Sequence, residues 1–213
     1  MPDAFRSVLF DLDGTLYFSD ALGLEISRVA NRYFARLKGV SEEQAQELIQ
    51  AVRQRITAET GIEGTLSLAC VALGGDLREL HRCFSEQLFP EQLLTRDERV
   101  VSLLEALGSR YSLYIYTNNN RSLSNRIMAA LGIGGFFIRV FTIEDSWTPK
   151  PDRRVLEQIM GEIGQSAGDC LFVGDRYDID LKIPEEMGAQ VRLVSRVEEL
   201  LALGTFTERG QRP

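Results

Sequence analysis

The sequence predicts an α/β protein in which a Rossmann-like parallel sheet carries an all-helical domain inserted after its first strand. Short apolar runs alternate with helical segments from about residue 92 onward, a pattern typical of parallel sheets that helices cover on both faces. Residues 20–90 instead show apolar residues at helical spacing, with no strand between the helices. The length of 213 residues is sufficient for one hydrophobic core and a smaller module.

The first strand is predicted at residues 7–11, and four helices are predicted to follow it. Gly39 ends the first helix, and Ser41 with Gln44 forms a capping box at the start of the second. The four helices are expected at residues 20–38, about 42–60, about 65–73 and about 77–88.

This helical block follows the carboxyl end of the first strand, so we expect it to rise from that edge of the sheet as a cap. The chain then divides into a core of residues 1–18 and 92–213 and a cap domain of residues 19–91. A cap in that position would cover any site at the same edge of the sheet.

Strands and helices alternate in the second half of the chain. Thr95 and Glu98 have the spacing of a further capping box. Strands are expected at residues 113–116, 137–141, 170–173 and 190–194. Helices are expected at residues 96–109, 122–131 and 196–203. Another helix is expected to begin at residue 151, and a separate short helix is expected after the strand at 170–173 and to end at residue 188. The tail from Thr205 to Pro213 is polar, and we expect it to be frayed.

Charge and hydropathy argue against two classes of partner. The net charge of −7 is opposite to the basic face that nucleic-acid binding requires. No apolar run approaches the roughly 20 residues that span a bilayer, and no signal-peptide pattern starts the chain. We therefore expect a cytoplasmic protein that binds neither nucleic acid nor membrane. The sequence predicts no particular oligomeric state.

Polar residues lie at the ends of several predicted strands or just before a helix. They are Asp11, Asp13, Thr117, Asn118, Lys150 and Asp175. Because the carboxyl ends of parallel strands share one edge, we expect them to converge, although more than 160 positions separate Asp11 from Asp175. Two carboxylates suit Mg2+, which prefers oxygen ligands, and Mg2+ with Lys150 would neutralise a bound phosphate.

With these residues the chain resembles the haloacid dehalogenase-like (HAD) hydrolase superfamily. All four motifs of that superfamily are present in order and cover nearly the whole chain. They are Asp-Leu-Asp-Gly-Thr at 11–15, Leu-Tyr-Ile-Tyr-Thr-Asn at 113–118, Lys150 within Thr-Pro-Lys-Pro-Asp, and Gly-Asp-Arg-Tyr-Asp-Ile-Asp at 174–180. A helical insertion after the first motif is also the usual place for a cap.

The resemblance implies a role for each matching position. Asp11 would be the nucleophile that forms an aspartyl-phosphate, and Asp13 would be the general acid and then the general base. Thr117 and Lys150 would hold the transferring phosphoryl group. Mg2+ would be bound by Asp11, the backbone carbonyl of Asp13, and Asp175.

Other residues keep two interpretations. Asn118 either contacts phosphate or substrate, or simply forms a turn. Asp178 and Asp180 either orient Lys150 and metal-bound water, or cap the following helix. His81, the only histidine, is expected to be structural or at the surface. Trp147 either stacks on a substrate base or packs.

The presence of Asp13 favours phosphate chemistry, because dehalogenases of the superfamily lack the second acid. We expect a Mg2+-dependent phosphatase that acts on a small phosphorylated metabolite. Leu16-Tyr17 and Thr117-Asn118 look similar to pyrimidine 5′-nucleotidases, so a nucleoside monophosphate is one candidate substrate. Phosphoglycolate, a sugar phosphate, or a phosphomutase reaction are the alternatives.

Overall fold

The computed structural model describes residues 5–204, and the predicted frayed tail lies outside them. Within this range five parallel strands form one sheet in the order β3-β2-β1-β4-β5. The strands are β1 (Ser7–Phe10), β2 (Ser112–Tyr116), β3 (Arg139–Phe141), β4 (Cys170–Gly174) and β5 (Gln190–Leu193). The predicted parallel α/β sheet is confirmed, although β3 begins two residues later than expected.

Nine α-helices accompany the sheet in the described part of the chain. They are α1 (Asp20–Lys38), α2 (Glu42–Thr60), α3 (Leu66–Ala72), α4 (Leu77–Gln87), α5 (Glu98–Gly108), α6 (Arg121–Leu131), α7 (Arg153–Ile163), α8 (Lys182–Glu186) and α9 (Val197–Leu201). The predicted capping box before α5 is wrong. Asp97 caps this helix by accepting from Arg99 N, while the Glu98 side chain pairs with Arg96.

The central strand β1 is buried along its whole length because it has a neighbour on each side and apolar layers on both faces. Phe10 is in register with Ile115 of β2 and Val173 of β4, and all three belong to one core cluster. Leu9 points to the opposite face and joins a second cluster with Phe172. The residues that follow these strands therefore come together at one edge.

Helices α1 to α4 form a continuous block between β1 and α5. Ser19 caps α1, Gly39 ends it with a positive φ of 66°, and the predicted capping box of Ser41 and Gln44 begins α2. The four helices pack on one another, and residues 19–91, all of which are described, contain no strand. No described helix is long and apolar enough to cross a membrane.

A buried asparagine joins this helical block to the sheet-bearing part. Asn120 Oδ1 accepts from Leu123 N, which caps α6, and also from the Ser85 hydroxyl at 3.1 Å. Asn120 Nδ2 donates to the carbonyl of His81 at 2.9 Å. One side chain thus starts a helix beside the sheet and fixes the position of α4.

Candidate active site

The sheet brings the predicted acidic residues to one edge. Asp11 directly follows β1, and its backbone N–H donates to Val173 O of β4 at 2.8 Å. Asp175 directly follows β4. Between them lies Gly14, which has a φ of +75°, and a Cβ there would come within 2.5 Å of Asp175 Oδ2. Glycine is therefore required at this turn both for its backbone conformation and for the close approach of a carboxylate.

Lys150 lies at the centre of the site and is only 1% exposed. Its Nζ donates to Asp11 Oδ1 and to Asp180 Oδ1, both at 2.6 Å, and to Tyr116 O at 3.0 Å. Burial alone would lower the pKa of Lys150, but Asp11 and Asp180 raise it above its usual value. The side chain is therefore a fixed positive charge with all three donors in use.

Asp11 is also buried, at 5% exposed. Burial raises the pKa of Asp11 to about 7, against the opposing effect of Lys150. Its Oδ1 is held by Lys150, whereas its Oδ2 receives only a long 3.5 Å contact from the Thr15 hydroxyl. One oxygen of Asp11 is thus fixed and the other is available.

The carboxylates of Asp11, Asp175 and Asp180 each place an oxygen within 4.8 Å of the others. Both oxygens of Asp180 already accept hydrogen bonds, from Lys150 and from Arg176 N at 3.2 Å. Asp175 Oδ1 is buried and accepts no hydrogen bond from any described residue, and burial raises the pKa of Asp175 to about 6. Asp11 and Asp175 therefore fit a divalent cation, while Asp180 holds the Lys150 side chain in place.

Asp13 has different neighbours from Asp11. Its Oδ1 accepts a short hydrogen bond from the Tyr17 hydroxyl, and its Oδ2 accepts from Asn119 Nδ2 at 2.6 Å. Burial raises the pKa of Asp13, and these two hydrogen bonds oppose that rise. Asp13 lines the same cavity as Asp175, so its proton can reach a molecule bound there.

Thr117 and Asn118 follow β2 at the same edge. Thr117 is buried, and its Oγ1 accepts from Asn119 N at 3.1 Å. Asn118 Oδ1 accepts from Lys150 N at 2.8 Å, so this side chain fixes the backbone of the loop that carries Lys150. Asn118 also lines the cavity, where its Nδ2 has no hydrogen-bond partner among the described residues.

The cavity over these residues has a volume of about 420 Å3 and is closed from the other side by the helical block. Its floor carries Asp13 and Asp175, and the α3 region and α4 contribute Thr65, Ser67 and His81. A larger cavity of about 470 Å3 lies behind the segment 16–19. We place the chemistry in the smaller one, because none of the predicted site residues lines the other.

His81 and Trp147 pack against each other, and of the two His81 alone lines the cavity. His81 is 3% exposed, both ring nitrogens lack partners among the described residues, and burial lowers its pKa to about 4. Trp147 packs against the edge of His81 and under the Arg78 guanidinium at 4.6 Å. It does not line the 420 Å3 cavity, so packing is the interpretation that the structure supports.

The sequence did not assign three residues to the site that the structure places there: Tyr17, Asn119 and Arg176. Tyr17 and Asn119 hold Asp13, and Arg176 lines the cavity beside Asp175. Each is close in sequence to a predicted residue, which was the available signal. Their hydrogen bonds depend on turn geometry that residue spacing does not reveal.

The sequence model of one family, described as haloacid dehalogenase-like hydrolase, matches residues 5–188. The chain belongs to this family and is a hydrolase. The resemblance carried by the four motifs is confirmed.

Two curated relatives are similar to the chain. Pyrophosphatase PpaX of Bacillus velezensis is 31% identical over 103 residues, covering 48% of this chain and 47% of that protein. Phosphoglycolate phosphatase of Pectobacterium atrosepticum is 26% identical over 181 residues, covering 83% of this chain and 75% of that protein. The chain thus spans about half of the first and three quarters of the second.

Solved structures show the same fold. The HAD phosphatase from Thermococcus onnurineus has a TM-score of 0.60 at 20% identity and covers 90% of this chain and 87% of its own. The HAD-hydrolase YfnB from Bacillus subtilis, solved with magnesium, has a TM-score of 0.59 at 21% identity. The match covers 95% of this chain and 100% of that one. At this identity the likeness concerns the fold.

Proposed function

We propose that the protein is a Mg2+-dependent phosphatase that hydrolyses a small phosphate monoester through an aspartyl-phosphate on Asp11. The observation that carries this proposal is the asymmetry of Asp11. Lys150 Nζ holds one carboxylate oxygen at 2.6 Å, and the other oxygen has only a 3.5 Å contact. A buried carboxylate with one free oxygen beside a fixed cation is suited to attack phosphorus.

The reaction has two steps. Asp11 Oδ2 attacks phosphorus, the bond to the ester oxygen breaks, and Asp13 gives its proton to the leaving alkoxide. Asp13 then takes a proton from water, the water oxygen attacks phosphorus, and the bond to Asp11 breaks to release phosphate. Burial raises the pKa of Asp13, which favours its acid form in the first step.

Mg2+ would be held by Asp11 and Asp175, with the backbone carbonyl of Asp13 as the resemblance implies, and would neutralise charge on the phosphoryl group. Thr117 and Asn118 are proposed phosphate contacts at the same edge. The Oδ1 of Asp175, which is buried and accepts no hydrogen bond from any described residue, supports this assignment. The names of the two curated relatives, a pyrophosphatase and a phosphoglycolate phosphatase, support hydrolysis of a phosphate bond.

We further propose that residues 19–91 form a cap domain and that the remainder is the catalytic core. Thr65, Ser67 and His81 of this block line the cavity, so they would contact the group that the phosphate leaves. The cavity of about 420 Å3 is at the small end for ligand sites, which favours a small metabolite. A cytoplasmic location stays a prediction.

The proposal is tested with p-nitrophenyl phosphate and Mg2+. Asp11→Asn should lower kcat by at least about 1,000-fold, because no covalent intermediate can form. Asp178→Asn is the matched control, since Asp178 lies in the same motif region but is part-exposed and pairs with Lys182. Retention of activity within tenfold in Asp11→Asn would contradict the mechanism. A phosphomutase would return the phosphoryl group to product and release little phosphate.

A further inference from the structure

We propose that Arg176 binds a second anionic group, carried on the part of the substrate that leaves, so that the substrates are phosphorylated small acids or diphosphates. The inference rests on the proposed function and names the substrate class for the same site. Its evidence comes from the position of Arg176, its unused donors and the charges around the cavity.

The backbone holds Arg176 at the mouth of the site. Arg176 N donates to Asp180 Oδ2 at 3.2 Å, and Asp180 in turn holds Lys150. The side chain is 31% exposed and lines the 420 Å3 cavity. Burial alone would lower the pKa of Arg176, but the nearby carboxylates, among them Glu63 in the loop before α3, raise it. Arg176 therefore faces the space between the sheet edge and the helical block.

The guanidinium of Arg176 is not committed to the protein. Its one ion pair joins Nε to Asp175 Oδ1 at 3.6 Å, and it donates no hydrogen bond to any described residue. Arg121 and Arg126, in contrast, each donate two hydrogen bonds to a carboxylate. Since a part-buried arginine normally uses its donors, Arg176 has a free fork of the shape that carboxylates and phosphates accept.

Charge restricts where an anion can settle in this cavity. Among the described residues that line it, Arg176 is the one cation, whereas Asp13, Asp20 and Asp175 are carboxylates. Lys150 is fully engaged with Asp11 and Asp180. A second anionic group would be repelled from the remaining walls and attracted to Arg176, which would orient the leaving group.

The test compares substrates that differ in the second anion. Phosphoglycolate carries a carboxylate, pyrophosphate carries a second phosphate, and ethyl phosphate has a methyl group in place of the carboxylate. Their kcat/KM values are measured in the wild type, Arg176→Met and Arg176→Lys. Arg153→Met is the matched control, because Arg153 is exposed and pairs with Glu186.

Arg176→Met should lower the preference for an anionic substrate over ethyl phosphate by about 10- to 100-fold, mainly through KM. Arg176→Lys should restore part of it, and Arg153→Met should leave it unchanged. If Arg176→Met loses the preference for phosphoglycolate, the group that Arg176 binds is a carboxylate. If it loses the preference for pyrophosphate, that group is a phosphate. Equal losses on all three substrates would overturn the inference, since Arg176 would then serve the transferring phosphate or the fold.

Binding provides the same comparison without turnover. Calorimetry with phosphonopropionate and propylphosphonate, which lack a hydrolysable bond, should show the same loss of preference in Arg176→Met. An unchanged binding ratio would overturn the inference even if hydrolysis is observed. If the wild type hydrolyses none of the esters, the proposed function fails, and the binding ratio still decides the role of Arg176.

Discussion

Asp11 and Asp13 lie two residues apart, yet their surroundings differ. Lys150 holds Asp11, whereas Tyr17 and Asn119 hold Asp13. Burial raises the pKa of both carboxyl groups, but only Asp11 has a cation at hydrogen-bond distance. Two acids in different environments are suited to different tasks, which agrees with a nucleophile and a separate acid/base.

Tyr17→Phe tests how Asp13 is positioned. Loss of the hydroxyl should lower kcat/KM by about tenfold for an alkyl phosphate and by less for p-nitrophenyl phosphate, because a poor leaving group depends more on the general acid. Tyr33→Phe is the control, since the Tyr33 hydroxyl bonds the Asp76 backbone within the helical block. Equal losses on both substrates would indicate a structural role for Tyr17.

At the residue scale, sequence spacing predicted which side chains would meet but not how they are bonded. The register of β1 with its neighbours brings Asp11 and Asp175 to one edge, as expected. Asn118 is expected to contact phosphate or form a turn, and its Oδ1 also accepts from Lys150 N, a bond that the sequence did not indicate. Such bonds depend on rotamers and turns, which residue identity alone does not determine.

At the scale of elements, apolar periodicity predicted every strand, and errors lie at the ends. Helix α5 begins at Glu98, two residues later than expected, because Asp97, rather than Thr95, accepts its first free N–H. Two nearby polar residues can each cap a helix, and the tertiary position of the chain decides between them. The link between α4 and α6 had no sequence signal, since it joins residues 35 positions apart.

Asn120→Ala tests this link. The substitution removes an N-cap, which costs about 1 kcal/mol, and leaves the His81 carbonyl without its donor, which costs about 1–3 kcal/mol more. We expect a total loss of roughly 2–4 kcal/mol in the free energy of unfolding, measured with urea. Asp152→Ala is the control, because Asp152 caps α7, and it should cost about 1 kcal/mol. Equal losses would contradict the link.

For the whole molecule, the fold buries Asp11 and Asp175 at one edge of the sheet, where burial first and neighbouring carboxylates second raise their pKa values. The pKa of Asp11 is raised to about 7 and that of Asp175 to about 6. The folded state therefore binds more protons than the unfolded state above the ordinary carboxyl pKa, so these groups cost stability as pH rises through that window. Surface carboxylates with lowered pKa values have the opposite effect at pH values below this window, because the stability that they contribute is lost as pH falls.

Mg2+ should reverse this loss. We expect the metal to raise Tm more at about pH 8 than at about pH 5, because it binds the ionised carboxylates. At 100 times its Kd the stabilisation is about 2.7 kcal/mol, or roughly 5–10 °C for a chain of this size. Asp175→Asn should abolish the shift in a thermal melt. A shift of equal size at both pH values would contradict the proposed metal site.

The central claim is that Asp11 becomes covalently phosphorylated during turnover. The most direct measurement is mass spectrometry of the wild-type protein quenched in acid while it turns over p-nitrophenyl phosphate with Mg2+. The mechanism predicts one added phosphoryl group, located on Asp11 and absent from Asp11→Asn. Turnover with the phosphoryl group on another residue, or with no phosphorylated protein at any time point, would contradict it.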